Sequence, residues 1–142
     1  PRLDQVLPQA GRLLLYREPT MPGVRIDSGV VEGGEIGVHY DPLIAKVMAA
    51  ADSRDLAIAR LIAALRDFPV LGVRTNIPFL LRVLDHADFR SGRVDTGFLD
   101  RQDASLFTGS AQTPPYVAAV MAAAANERLA PASKAGLDPW DG

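Results

Sequence analysis

The run PGVRIDSGVVEGGEIGVHYDPLIAK, from Pro22 to Lys46, most constrains how this chain can fold. Val24 and Ile26 alternate with Arg25 and Asp27, the period of an extended strand, so the apolar pair takes one face and the two charges the other. Gly33-Gly34 then supplies a turn that can adopt positive φ without a β carbon in the way. Ile36 to His39 continues as a strand, Asp41-Pro42 interrupts the ladder, and Leu43-Ile44-Ala45 resumes it. A strand, a glycine turn and a further strand therefore leave Arg25 standing on the polar face of a small sheet.

Around this centre the chain reads as a mixture of short strands and two helices. Gly11 to Tyr16, with Leu13, Leu14 and Leu15 in a row, fits a buried strand, because the flanking Gly11, Pro19 and Pro22 leave too few residues for a helix. Leu43 to Ala49 is ambiguous on its residues alone, since its alanines suit a helix. Ser53 is an N-cap with Asp55 in the first turn, and Ile58, Leu61, Ile62, Leu65 and Phe68 recur at three- and four-residue steps, predicting a helix that Phe68-Pro69 ends. Burying that stripe supplies roughly 1.5–3 kcal/mol per large side chain before entropy is charged. Val70 to Val73 is a short strand or extended link. Thr75 or Asn76 caps a second helix with Pro78 in its first turn and Ile77, Leu80, Leu81 and Leu84 toward the core. His86 to Gly92 reads as a solvated loop, and Thr96 to Asp100 as a last short element. The fold expected is α+β: a small antiparallel sheet, in the form of a rudimentary barrel, packed with helices at Ser53–Phe68 and Asn76–Asp85.

Beyond Arg101 the composition changes, which divides the chain into residues 1–101 and 102–142. Thr113-Pro114-Pro115 precedes an alanine-rich helix, Val117 to Leu129, with good propensity but little apolar area of its own to bury. Pro131 to Gly142 reads as extended or disordered, and Pro1 to Ala10 as an entering linker. The abrupt ends suggest an excised fragment.

Composition excludes several functions. A net charge of -2 gives no footprint for nucleic acid or an anionic membrane, and no apolar run approaches the length of a membrane span. With no cysteine there is no disulfide framework and no thiolate chemistry, which fits a cytoplasmic protein. His39 and His86, the two histidines, have no ligand spacing, so no metal site is expected. Gly33-Gly34-Glu35-Ile36-Gly37 lacks the Gly-Lys-Ser/Thr ending of a phosphate loop. Tyr40 and Asp41 point to opposite faces if extended, so Asp41 reads as a turn residue and Tyr40 as packing.

Arg25 remains. A planar, permanently charged guanidinium holds an oxyanion through two parallel hydrogen bonds. Spacing alone equally allows a surface arginine paired with Asp27 or Glu32.

Three motifs decide between these readings. Gly23-Val24-Arg25-Ile26-Asp27-Ser28, Tyr40-Asp41-Pro42-Leu43-Ile44-Ala45-Lys46 and Gly72-Val73-Arg74-Thr75-Asn76 resemble, in order and spacing, the C-terminal domain of biotin carboxylase, over roughly Gly11 to Asp100. The tail, through Asp138-Pro139-Trp140, resembles the region that follows in the biotin-containing subunit of an acyl-CoA carboxylase, most of all 3-methylcrotonyl-CoA carboxylase. The resemblance implies a strand over Leu43 to Ala49. It implies that the intact protein is a ligase carrying out ATP-dependent carboxylation of biotin, with carboxyphosphate as the source of CO₂. In that scheme Arg25 holds bicarbonate and then the ureido oxygen of the biotin enolate. ATP and Mg²⁺ belong to an ATP-grasp part outside this sequence, so the fragment alone is expected to be inactive. Implied partners are the rest of the biotin carboxylase subunit, the biotin carboxyl carrier domain and the carboxyltransferase subunit. A homodimer contact would lie near Ala51-Asp52-Ser53-Arg54, making Arg54 an interface residue or else a plain first-turn arginine. The alternative function is a non-catalytic subunit-assembly module of the same complex.

Overall fold

The computed structural model describes residues 10–37, 43–107, 116–120 and 122. In chain order the elements are β1 (Gly11–Arg12), β2 (Leu15–Tyr16), β3 (Val24–Ser28), β4 (Glu35–Ile36), β5 (Ala45–Ala49), α1 (Arg54–Arg66), β6 (Val70–Leu71), α2 (Ile77–Asp85), α3 (Ala87–Arg90), a 3-10 turn at Leu99–Arg101 and α4 (Ala104–Phe107). The fold is α+β, as expected. All strand pairing is antiparallel, in three two-stranded ladders, β1–β4, β2–β6 and β3–β5, with no closed barrel among the described residues. Of the expected strand Ile36 to His39, Ile36 pairs in β4 and Gly37 does not; Val38, His39 and the turn at Tyr40-Asp41-Pro42 lie outside the described residues, as do 1–9 and most of the tail.

The longest ladder pairs β3 with β5 in the register Val24↔Ala49, Arg25↔Met48, Ile26↔Val47, Asp27↔Lys46 and Ser28↔Ala45. Val24, Ile26 and Val47 turn inward while Arg25, Asp27 and Lys46 are exposed, the alternation that the sequence predicts. Ile26, Val47, Ile36 and Ile44 pack on a cluster of Leu13, Tyr16, Phe68 and Val70. Tyr16 and Phe68 meet with ring centroids 5.3 Å apart, a tilted aromatic contact that adds to their area burial. Helix α1 places Ile58 and Leu65 against Leu84 of α2 in a second cluster, and Val47 and Ile77 touch both. The sheet and the helices thus share one continuous core.

Several expectations need correction. The Leu13–Leu15 run is not a continuous buried strand. The chain breaks between β1 and β2, burying Leu13 completely and leaving Leu14 69% exposed. That break is where Leu13 bonds to the glycine turn, its N–H donating to Gly34 and its carbonyl accepting from Gly33. Asn76 stands at the N-cap of α2 but makes no side-chain cap bond, whereas Ser53 does cap α1, accepting from the Leu56 N–H at 3.3 Å. Phe79 is buried where only Ile77, Leu80, Leu81 and Leu84 were expected inside, because it stacks on Phe107 of α4 at 5.4 Å. His86 to Gly92 is not a loop but contains α3, whose first turn is capped by His86 Nδ1 accepting from the Asp88 N–H.

Gly72 shows why its motif begins with glycine. Its φ is +102°, and a β carbon there would overlap the Arg12 carbonyl oxygen and come within 2.8 Å of the Leu14 nitrogen. No side chain fits between β6 and the β1–β2 corner.

Contacts divide the chain after residue 111. In the second unit residues 116–120 are helical, beginning one residue before the expected alanine-rich helix of Val117 to Leu129, with Tyr116 and Val117 half-buried. No described helix is long and apolar enough to cross a membrane.

Candidate functional site

The site begins with a glycine. Gly23 takes φ +75°, and a β carbon there would stand 2.7 Å from the Ala50 carbonyl oxygen and against the Arg60 guanidinium. The bare position lets two bonds close over the end of the ladder. The Ala50 N–H donates to the Gly23 carbonyl at 2.8 Å, and Arg60 of α1 donates to the Ala50 carbonyl. Strand β3 therefore leaves Gly23 in a fixed direction, and Arg25, two residues on, projects from the solvent face.

Arg25 is 75% exposed at its side chain and paired with Asp27, 47% exposed. Its Nε donates to Asp27 Oδ1 at 2.8 Å and its Nη2 to Oδ2 at 3.1 Å, a two-bond fork along one edge of the guanidinium. The pairing is with Asp27, as spacing allowed, and not with Glu32. Glu32 instead accepts the Tyr16 N–H at 3.0 Å and lies 3.9 Å from Arg17. The hydrogen bond from Arg25 and its charge, with a smaller contribution from Lys46 across the ladder, hold the Asp27 carboxyl below the usual carboxylate range. The same bond raises the Arg25 guanidinium further above its already high value. Both Nη1 hydrogens and one on Nη2 have no partner among the described residues. The arrangement can hold a single negatively charged or partly charged oxygen without breaking the internal pair.

Arg54 lies elsewhere and is held by main-chain carbonyls. Its Nη2 donates to the Phe89 carbonyl at 2.6 Å, its Nε to the Phe89 and Arg90 carbonyls at 3.1 and 3.3 Å, and its guanidinium carbon sits 5.0 Å over the Phe89 ring. It closes the C-terminal end of α3. Arg54 also borders an open groove of about 350 Å³ lined by Ala49, Ala51, Ala57, Ile58, Leu84 and Phe89, among others. Sequence reasoning missed a second arginine of this kind, Arg82, which donates to the Leu106 and Phe107 carbonyls and closes α4. Nothing local signals it, because α4 is distant in sequence. Asp85, His86 and Asp88 are tied to Arg90 and Arg93 and to the α3 cap, a set of structural contacts. No three His, Cys, Asp or Glu residues gather into a metal-binding group among the described residues.

The sequence matches the family described as Biotin carboxylase C-terminal domain over residues 2–101. The chain belongs to this family. It is 40% identical over 109 residues to the propionyl-CoA carboxylase alpha chain, mitochondrial, of Caenorhabditis elegans, covering 76% of this chain and 15% of that protein. It is 39% identical over 107 residues to the methylcrotonoyl-CoA carboxylase subunit alpha, mitochondrial, of Oryza sativa subsp. japonica, covering 75% and 14%. Among solved structures, the biotin carboxylase domain dimer of Hydrogenobacter thermophilus 2-oxoglutarate carboxylase, in complex with MgADP, ADP and bicarbonate, superposes with a TM-score of 0.67 at 31% identity, covering 72% of this chain and 22% of that one. The chain thus spans about one seventh of the length of the two carboxylase subunits. Methylcrotonoyl- and propionyl-CoA carboxylase subunits stand side by side among its relatives. All three described parts of the resemblance, at Gly23–Ser28, Leu43–Lys46 and Gly72–Asn76, fall inside the matched region.

Proposed function

We propose that these residues form part of the biotin carboxylase component of an acyl-CoA carboxylase, a ligase that carboxylates biotin at the expense of ATP, and that Arg25 is its oxyanion-holding residue. One observation carries this reading: Arg25 projects from the solvent face of a strand fixed by Gly23, with one edge of its guanidinium held by Asp27 and the other without a partner among the described residues. The open edge suits the ureido oxygen of biotin, which is a single acceptor. When bound, biotin supplies the ureido nitrogen that takes the carboxyl group, and loss of the proton from that nitrogen moves negative charge onto the oxygen. A fixed cation there favours the charged state over the neutral ring, so it lowers the barrier instead of only tightening binding. The same edge donates to a bicarbonate oxygen.

ATP and Mg²⁺ do not fit the described residues, which offer neither a phosphate loop nor a metal-binding group. They belong with the ATP-grasp part of the intact protein, and the isolated chain hydrolyses no ATP. The solved biotin carboxylase domain dimer supports a homodimer, with the groove beside Arg54 at its contact. The carrier domain and a carboxyltransferase subunit complete the set of partners.

The test is Arg25→Ala in the intact subunit. Biotin carboxylation falls about a hundredfold or more, the scale of losing an oxyanion donor, while the sedimentation profile is unchanged. Retained carboxylation together with a dissociated complex would instead make Arg25 an assembly residue. Bicarbonate-dependent ATP hydrolysis by the isolated chain would overturn the division of labour.

A further inference from the structure

We infer that Asp27 is the positioning residue for Arg25: it grips the side edge of the guanidinium and so aims the end edge at the acceptor oxygen. This inference rests on the role proposed for Arg25. The geometry behind it is specific to one side of the fork. Asp27 bonds Nε and Nη2, at 2.8 and 3.1 Å, and leaves Nη1 untouched. An exposed arginine with four rotatable stem bonds otherwise spreads over many rotamers, and holding it in one removes that entropy cost from the binding step.

The strand supplies the partner without help from the rest of the fold. Residues 25 and 27 share the exposed face of β3, so the carboxylate stands one pleat from the cation. Lys46 opposes Asp27 across the ladder, and Met48 opposes Arg25. The face therefore reads cation, anion, cation, with the carboxylate between two positive charges. Lys46 contributes its charge without taking either carboxylate oxygen from Arg25, since both are bonded to the guanidinium. The arrangement also separates orientation from charge. Asp27 steers the fork, and because it does so from the side, an incoming oxygen does not have to displace it.

The experiment uses the intact subunit with free biotin, MgATP and bicarbonate. Asp27→Asn keeps one acceptor but loses the charge and the second bond, and kcat/KM for biotin drops about tenfold, in keeping with a misoriented binding group. The loss divides between a raised KM and a lowered kcat, while the melting temperature is unchanged. Asp27→Glu keeps a two-oxygen carboxylate and recovers activity to within about threefold of the parent. In an Arg25→Ala background Asp27→Asn has no further effect, because nothing remains to be aimed. Unaltered kinetics in Asp27→Asn, with Arg25→Ala inactive, would overturn the positioning role and leave the role of Arg25 standing. Full activity in Arg25→Ala would overturn both. Additive losses in the double variant, or a fall in melting temperature that tracks the loss of activity, would make Asp27 an independent or merely structural residue and overturn the inference.

Discussion

Arg25 and Arg54 place the same side chain in opposite settings. At the junction of α1 and α3, Arg54 is bound to main-chain carbonyls and lies over an aromatic ring. On the β3–β5 ladder, Arg25 is bound to one exposed carboxylate and to nothing else of the described chain. Backbone acceptors cannot leave without unfolding a turn, whereas a surface carboxylate can be exchanged or shared. The helical region uses arginine as a fastener. The sheet region keeps one arginine oriented but available. Similar fasteners recur where Arg82 of α2 holds the α4 carbonyls and Arg60 holds the Ala50 carbonyl, which gives a physical use for part of the excess of arginine, where of 15 basic residues only Lys46 and Lys134 are lysine.

The most severe way to break the contrast is to remove what both regions share. Phe68 is buried and packs on Tyr16 at the foot of the sheet. Phe68→Ala costs about 3–5 kcal/mol of unfolding free energy, read from denaturant titration with near- and far-ultraviolet probes that shift together. A loss confined to one probe would mean that the two regions melt separately. Next comes Gly23→Ala, which strikes the root of β3 and its tie to α1, through positive φ and the crowded Ala50 carbonyl and Arg60 guanidinium; it destabilises by about 2 kcal/mol and weakens biotin carboxylation in the intact subunit. Arg54→Ala strikes the helical side alone. It costs about 1 kcal/mol and accelerates amide exchange at Ser91 and Gly92, whose N–H groups bond within α3; Arg54→Lys behaves nearly as badly, since a point charge does not reproduce the fork. Rapid exchange there with no change in Arg25 chemistry sharpens the separation.

The smallest effect concerns pH. The Asp27 carboxyl lies below its unfolded value because it accepts hydrogen bonds from Arg25. The pair's contribution is therefore present at neutral pH and above the usual carboxylate range, and it is lost as pH falls through the lowered value. Both groups are solvent-exposed, so the unfolding free energy of Asp27→Ala matches the parent at pH 7 within measurement, and only the chemical shift of the Arg25 Nε–H reports the titration.

Much of this was legible in the sequence where the determinants are local. Alternation alone put Arg25 and Asp27 on one face, and the apolar stripe with Ser53 placed α1 within a residue or two. The three motifs identified the family. What escaped depends on contacts made far along the chain. Leu14 looks as apolar as Leu13, yet the bonds from Leu13 to Gly33 and Gly34 turn the chain so that only one of them goes inside. The helix α3 was hidden because histidine is not a usual cap and the segment is only 4 residues long. Phe79 took a buried place because of α4, which no periodicity near it announces. At the site, spacing offered two carboxylates for Arg25 and could not choose, since Glu32 is drawn to the Tyr16 N–H by tertiary folding.

The bare position at Gly23 carries one more consequence. With Arg60 clasping the Ala50 carbonyl and Ala50 in turn bonded to Gly23, the root of the Arg25 strand is moored to the middle of the long helix. The cation has no private hinge. Whatever leans on that helix from outside is felt two residues away from the guanidinium, and the remaining freedom at the site lies in one side chain and the carboxylate beside it.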